Sequence, residues 1–528
     1  MITKRYIKLA QKAAAVFLIA SLTACEVPDR QASRSEFPVA LAQDTLETGY
    51  RQISQRFIEN VSVRDLALEG LRGLSTIEPS LHIEEYADEI LLQSSYIGTR
   101  RYNAPFPEDS DAWARLTVRA LMDLRARSPE FRAADSEKLY EAVFDGSLSL
   151  LDKFSRYASA KQATENRAKR SGFGGIGIQF FTFQTGFRVS SVFANTPAAR
   201  AGLRKGDIIT HINGRQVVGV SRKLVRNWLR GTIGSLVNLK ILRSSEDQVL
   251  AFTVKRDRIV LPTVARSIKD GIIFLKITGF NNRTSRQVFK KYSEGKRILG
   301  DKVKGVILDL RGNPGGLLRQ AIKVADLFLS NGHILSTRGR HPASKHDYEA
   351  KSTDIALGLP VAILINSRSA SASEIVAAAL QDHERAAVIG SSSFGKGSVQ
   401  TVARLPNDGE ITLTWSRFVT PSGYILHELG VPPNICTTSS SSAAKSGTDS
   451  IIESALRTSA AHDVKNRAWK SIHVTDKEGR RRLKNSCPGN KSQGERDIII
   501  AERILKDPSL YQRVMALNTS LASAPISR

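Results

Sequence analysis

Two apolar runs, Val303–Leu310 and Val361–Ile365, constrain this chain most. Each suits a strand buried on both faces, and each is followed by a turn and a helix-forming stretch. From Ile272 onward strands and helices alternate, which indicates an α/β core. A length of 528 residues suggests about three or four domains. Hydrophobic residues make up 41% of the chain, enough to build cores and to exclude a wholly disordered protein.

The rest of the chain changes texture along its length. Glu26 to about Phe37 is polar and reads as a tether, and from about Val39 to Thr164 the pattern is helical, as in Ser136–Leu151. Around Ser171 Gly-rich turns and short β-type runs take over. Gln179–Phe183, Phe187–Val192, Asp207–Ile212, Val237–Leu242 and Leu250–Val254 read as strands, with short helices at Pro197–Ala201 and Ser221–Leu229. After Cys436 the Thr437–Ser442 stretch reads as a linker, followed by a basic, partly helical tail that includes Arg480-Arg481-Arg482.

The N-terminus bears on location. Basic residues from Lys4 to Lys12 precede a short apolar run, Ala13–Leu22, too short to span a bilayer and shaped like a secretory signal. Leu22-Thr23-Ala24-Cys25 resembles a bacterial lipobox, which implies a lipid on Cys25. Glu26, rather than Asp, follows it, so the resemblance favours an outer-membrane lipoprotein facing the periplasm. With Cys25 assigned to lipid, Cys436 and Cys487 remain, and an oxidising compartment permits a disulfide between them. Net charge is +26; the first 24 residues carry four bases and no acid, which leaves +22. That excess suits acidic partners, yet no nucleic-acid motif accompanies it, so a basic surface meeting envelope polyanions is the expectation.

Two stretches organise the β-rich region. Gly174-Gly175-Ile176-Gly177-Ile178 leads into a strand. Asn195-Thr-Pro-Ala-Ala-Arg-Ala-Gly-Leu-Arg-Lys-Gly-Asp-Ile-Ile, followed by Ile212-Asn213-Gly214, gives a helix, a turn and a strand ending in a tight turn. Together they resemble a PDZ domain. The resemblance implies that Gly175, Ile176, Gly177 and Ile178 offer amides to a terminal carboxylate, with the bound peptide adding as a strand. Gly172-Phe-Gly174-Gly-Ile-Gly177 also fits G-x-G-x-x-G, but the dinucleotide fingerprint needs a strand before it and a helix after it. Here a polar stretch precedes and a strand follows.

The α/β region carries the chemistry. The run Val361–Ile365 enters Asn366-Ser-Arg-Ser-Ala-Ser-Ala-Ser-Glu-Ile-Val, where an Ala-rich helix starts just beyond the serines. A serine at such a junction sits where helix N–H groups can stabilise developing negative charge. Downstream, Lys396 lies between Gly395 and Gly397. Composition does not choose among Ser369, Ser371 and Ser373. The pair of segments resembles the carboxyl-terminal processing (tail-specific) peptidases, which use a Ser–Lys dyad. Their motif places the nucleophile at Ser371 and the base at Lys396, 25 positions later. A lysine can take the serine proton when desolvation makes it neutral near physiological pH. The family's orienting glutamine corresponds to Gln400, which shares a face with Lys396 if the run is extended. The resemblance implies an oxyanion hole formed by Ala372 with Gly315 or Gly316, from Asp309-Leu-Arg-Gly-Asn-Pro-Gly-Gly, without choosing between the glycines.

Rival chemistries fail locally. Gly390-x4-Gly395-Lys396 nearly matches a Walker A loop, but Gly397 stands where Ser or Thr should meet magnesium, and a strand follows instead of a helix. For a Ser-His-Asp triad, His383 is 12 residues beyond Ser371, about 18 Å along a helix. His427 has no local support. Asp309 reads as a structural aspartate fixing the turn, because no partner carboxylate or histidine cluster accompanies it.

The resemblance covers about Tyr140 to Ile435, including Asp152-Lys-Phe-Ser-Arg-Tyr157, with Lys153 where Pro is usual, and Gly430-Val-Pro-Pro-Asn-Ile435, with Asn434 where Asp is common. The expected architecture is multidomain α+β. A lipoprotein signal and lipobox occupy 1–25, a tether and helical N-terminal region 26–165, and an inserted PDZ-like β-rich domain 166–262. A serine peptidase core, α/β and crotonase/Clp-protease-like by family resemblance, occupies 263–436, and the linker and basic tail 437–528. The implied protein is a lipid-anchored periplasmic endopeptidase that needs no metal or organic cofactor and takes protein substrates with apolar free C-termini. A catalytically silent PDZ-containing envelope adaptor is the alternative; an adaptor partner or homo-oligomer is left open.

Overall fold

The computed structural model describes residues 37–519 except 87, 244–247, 439–446, 458 and 492–493. The signal-like segment, Cys25, most of the tether and most of the Ser/Thr linker lie outside the described residues. Among the described residues no helix is long and apolar enough to cross a membrane.

The N-terminal region is only partly helical. Helices Val39–Arg56, Val63–Gly73, Ser110–Arg127 and Ser136–Ser149 enclose one apolar core, but a three-stranded antiparallel meander, His82–Tyr86, Glu89–Ser94 and Gly98–Asn103, interrupts them. These strands are short and expose Glu84, Glu85 and Arg101; only Ile83, Ile90, Leu92 and Tyr102 are buried. So few inward positions give too weak a period-2 signal to stand out from the flanking helical pattern. Helices Val63–Gly73 and Ser136–Ser149 cross where glycines meet. A Cβ at Gly73 would lie 2.3 Å from the Ala142 carbonyl oxygen, and one at Gly146 would lie 2.3 Å from that of Glu69. This crossing fixes the exit of the second helix into Asp152–Tyr157.

The PDZ-like unit follows. Its main sheet runs Gln248–Lys255, Leu236–Arg243, Ile208–Ile212, Gly186–Val192, Ile178–Phe183, so that Ile178–Phe183 is an edge strand. Phe173–Gly175 and Asp257–Ile259 pair at the neck where chain enters and leaves. Arg243 makes a buried ion pair with Asp207, and Arg256 donates to the carbonyls of Trp228, Leu229 and Leu236, which closes the helix Arg222–Leu229 onto the sheet.

The α/β core is a six-stranded sheet in the order Val264–Lys269, Ile272–Ile277, Gly305–Asp309, Val361–Ile365, Ala387–Gly390, Ile435–Cys436, all parallel after the first. Helices Thr284–Leu299, Leu318–Asp326 and Ala372–Asp382 cover one face. Helices of the basic tail cover the other: Ile452, Ile504, Leu505, Tyr511 and Val514 pack on Ile307, Ala362, Leu364 and Ile389. The tail is therefore the second helical layer that a parallel sheet requires. A second sheet, His346–Glu349, His333–Arg338, Glu410–Val419, Ser398–Arg404, lies beside it, with Arg156–Ala158 added to Glu410–Val419.

Cys436 and Cys487 are disulfide-bonded across a sequence separation of 51. The bond ties the tail to the last strand, next to the Ser391–Ser393 loop: the Ser392 amide donates to the Cys487 carbonyl and Asn490 N–H to Ser391 Oγ. Reduction is expected to cost 2–4 kcal/mol of stability. Urea unfolding with and without reductant checks this, and equal midpoints would contradict it.

Candidate active site

Three neighbouring parallel strands deliver three loops to one end of the sheet, where their carboxyl ends open a crevice. Gly305–Asp309 leads into Arg311–Gly316, Val361–Ile365 into the serine cluster, and Ala387–Gly390 into Ser391–Gly397. The predicted Gly-Gly turn, serine and lysine thus come from consecutive strands.

The serine cluster sorts itself. Ser369 Oγ donates to the Leu310 carbonyl and Ser373 Oγ to the Asn313 carbonyl, and both residues are fully buried. They fasten the nucleophile segment to the Gly-Gly loop. Ser371 is partly exposed and sits at φ 57, ψ −114, immediately before helix Ala372–Asp382. Positive φ at a non-glycine residue is strained backbone that only firm surroundings hold. Those surroundings include Gly315, where a Cβ would stand 2.9 Å from Ser371 Cβ and 3.0 Å from the Ala372 nitrogen. The Gly315 amide donates to Asn313 Oδ1, and Asn313 Nδ2 donates to the Ile277 carbonyl. Among the described residues the Gly316 and Ala372 amides have no hydrogen-bond partner.

Glu374 joins the two halves of the site, and sequence reasoning missed it. Its side chain is fully buried. One carboxylate oxygen accepts from the Ser371 amide at 2.7 Å and the Lys396 amide at 2.9 Å; the other accepts from Ser393 Oγ at 2.5 Å and the Gly395 amide at 2.6 Å. Burial pushes its pKa up, and the four donors work the other way. The signal was present: Ser371-Ala-Ser-Glu374 has capping-box spacing, and Glu374 does bond the Ser371 amide as such a box requires. What the spacing could not tell is that the same carboxylate also grips the lysine loop.

Lys396 is partly buried, and desolvation depresses its pKa, with Arg156 adding to the shift and Asp152 and Glu374 opposing it. Its ammonium stands 4.7 Å from the centre of the Phe154 ring. Phe154 is delivered by the Asp152 turn, where Asp152 Oδ1 accepts from the Phe154 and Ser155 amides and Ser155 Oγ. Gly395 (φ 87) and Gly397, where a Cβ would lie 2.1 Å from the His427 nitrogen, give Lys396 its tight turn. Among the described residues no hydrogen bond joins Lys396 Nζ to Ser371 or Gln400. Gln400 instead donates to Ser398 Oγ and Thr414 Oγ1. Lys396 lies in the turn before strand Ser398–Arg404, so the extended run on which a shared face depends begins only after it.

The remaining candidates are accounted for. Asp309 binds Lys276 and Arg311, and buried Arg311 reaches on to Asp497 and the Gly494 carbonyl in the tail, so the tail braces the Gly-Gly loop from behind. His383 bonds the His333 carbonyl at the far end of its helix, and His427 packs edge-on against Phe154. The Gly175–Ile178 amides lie at the end of a groove between edge strand Ile178–Phe183 and helix Arg222–Leu229.

Parts of the chain match known families. The profile of peptidase family S41 matches residues 271–437, and that of the PDZ domain residues 174–255. A carboxy-terminal-processing protease of Bartonella bacilliformis is 40% identical over 313 residues, 59% of this chain and 72% of that one. A Staphylococcus aureus protein described as a probable CtpA-like serine protease is 33% identical over 321 residues, 58% of this chain and 62% of its own length. Among solved structures, the photosystem II D1 C-terminal processing protease aligns over 74% of this chain and 92% of its own, at 22% identity and a TM-score of 0.36.

Proposed function

The chain belongs to the carboxy-terminal-processing proteases of peptidase family S41, and from that premise we propose that it cleaves proteins through a Ser371–Lys396 dyad after its PDZ domain has taken hold of the substrate's free C-terminus. The observation that carries the dyad is the single Glu374 oxygen that accepts from the backbone of both residues. A silent adaptor would have no use for a buried carboxylate that registers two loops against each other.

In the reaction Lys396 Nζ, neutral, accepts the Ser371 hydroxyl proton as Oγ attacks the scissile carbonyl carbon. Negative charge developing on the carbonyl oxygen meets the Ala372 amide at the helix N-terminus and the Gly316 amide. Gly316 is favoured over Gly315 because the Gly315 N–H is already committed to Asn313. The tetrahedral intermediate collapses, the C–N bond breaks, and the lysine's proton passes to the leaving amine. Water, deprotonated by the same lysine, then attacks the Ser371 ester, releases the N-terminal fragment and restores the hydroxyl. Lys396 Nζ makes no hydrogen bond to Ser371 among the described residues, so a shift of its side chain toward Ser371 Oγ precedes proton transfer. Gln400 would take up its orienting role in that same movement.

The depressed lysine pKa gives a pH signature. Protonated Lys396 cannot accept a proton, so kcat/KM is expected to rise with pH through the lysine's folded pKa, at a pH below that of a free lysine. Arg156 is one of the causes holding that pKa down; Arg156→Gln should therefore move the rise to higher pH while leaving the alkaline plateau in place. A pH–rate profile of both proteins checks this, and a shift toward acid would contradict it.

We place the enzyme in the bacterial envelope, anchored through lipid on Cys25 on the periplasmic side of the outer membrane. The signal-like N-terminus supports this, and a tail held by a disulfide suits an oxidising compartment. C-terminus recognition is tested with a long unstructured peptide ending in apolar residues, as the free acid and as the C-terminal amide. The free acid should be cut with the lower KM. Equal KM values would remove recognition of the terminus and leave the dyad standing.

A further inference from the structure

The groove of the PDZ domain is more than an apolar slot with a carboxylate loop. It encloses about 640 Å³, and its floor is Ile176, Phe180 and Leu229, all buried. Among the described residues edge strand Ile178–Phe183 has no partner on its groove side, so an extended peptide can pair there. The other wall is helix Arg222–Leu229, which lines the groove with Arg222, Lys223 and Arg226, and Arg230 follows directly. Among the described residues no Asp or Glu lines the groove. Among the described residues Arg222, Lys223 and Arg226 make no ion pair, and each is exposed. Arg230 feels the charge of Glu165 on the preceding helix Ala160–Ser171.

One terminal carboxylate leaves most of this charge unanswered. The end of the groove that would hold the carboxylate is fixed, because the Gly231 amide donates to the Gly174 carbonyl and seats the helix C-terminus against the glycine loop. Arg230 stands there, with its guanidinium 3.8 Å from the Phe173 ring centre. Arg222 is seven residues back along the helix from Leu229, roughly 10 Å at ~1.5 Å per residue. An extended peptide covers that distance in about three residues at ~3.3 Å each. Arg222 also leans across the groove, 5.8 Å from the ring centre of Phe180 on the edge strand. It is therefore poised over the chain at about the third residue before the terminal one, with Arg226 about one turn nearer the end.

We propose that this groove selects substrates whose apolar C-terminal residue is preceded, within about four positions, by aspartate or glutamate, through Arg222, Arg226 and Lys223. The proposal rests on the reading that the PDZ domain binds free C-termini. It adds a specificity that the apolar floor and glycine loop alone would not give, and it assigns part of the chain's basic excess to substrate choice.

Binding to the full chain carrying Ser371→Ala, so that nothing is cut, is read by fluorescence polarisation with labelled ten-residue peptides of identical apolar ending. One carries two acids at the second and third residues before the end, one carries glutamines there and one lysines; a fourth is the acidic peptide as its C-terminal amide. At low salt the acidic peptide should bind about tenfold tighter than the glutamine peptide, and the lysine peptide weaker than both. The preference should shrink at high salt. Adding Arg222→Gln and Arg226→Gln should abolish the preference, so that the acidic and glutamine peptides bind the variant alike. Equal binding of acidic and glutamine peptides, or a preference that survives the double substitution, overturns the acidic selectivity while leaving C-terminus recognition intact. Absence of binding by every peptide, or binding of the amide as tight as that of the free acid, overturns the underlying reading as well.

Discussion

Lys396→Ala is expected to lower kcat/KM by about 10⁴-fold, and Ser371→Ala by at least as much. The two act as one unit: without the base the hydroxyl is a poor nucleophile, and without the hydroxyl the base has no proton to take. The double variant should therefore be no worse than either single one, and additive losses would argue against a dyad. Stability should hardly change, because Lys396 Nζ makes a ring contact rather than a hydrogen bond and remains partly exposed. Thermal melts beside the rate measurements separate lost chemistry from lost fold. Lys396→Arg should be as inactive as Lys396→Ala, since guanidinium stays protonated and cannot serve as the base.

Glu374→Ala is expected to cost about 5 kcal/mol and to abolish activity. The carboxylate accepts four hydrogen bonds in a fully buried site, and its removal leaves four donors without partners, at about 1–3 kcal/mol each before relaxation. Glu374→Gln is the more informative change. It keeps the volume but turns one acceptor into a donor, which must then face either Gly395 N–H and Ser393 Oγ or the amides of Ser371 and Lys396. Ser393 can rotate its hydroxyl to accept, whereas the backbone amides cannot. The glutamine variant should fold with a smaller stability loss yet lose most of its kcat, because the loops bearing nucleophile and base are no longer held in register. Urea unfolding and single-turnover rates check the two effects separately. Full activity in Glu374→Gln would mean that the carboxylate is structural only.

Much of the fold was legible because its signals were local. Val361–Ile365 is apolar at every position and is buried at every position, in the middle of a parallel sheet. The five strands expected in the PDZ-like unit lie within a residue or two of their observed limits, since each is bounded by turn residues. The meander at 82–103 was not legible, because its short strands bury only one or two residues each. The tail looked like a basic appendage because Arg480-Arg481-Arg482 dominates its composition. Yet Arg480 is buried on the carbonyls of Ile425 and His427, and the apolar stripe of Glu495–Leu505 covers the sheet. Only the packing partner distinguishes such a stripe from any other amphipathic helix.

The site divides in the same way. Ser371, Ala372, Lys396 and the glycines were readable as motifs, and they meet because three adjacent strands carry them. Long-range ties left no such mark. Arg311 binds Asp497 across 186 residues, and the Lys484 side chain donates to the Phe394 carbonyl across 90. Gln400 shows the limit of spacing arguments, since Lys396 sits in the turn before strand Ser398–Arg404 and the Gln400 amide bonds Ser398 and Thr414.

The central claim is that Ser371 is the nucleophile that cuts the substrate chain. Its most direct test is the folded full-length Ser371→Ala variant, incubated beside the native protein with an unstructured protein ending in apolar residues and followed by mass spectrometry of the fragments. The account predicts complete digestion by the native protein and an intact substrate with the variant over the same interval. The same fragments at an undiminished rate from the variant would contradict it.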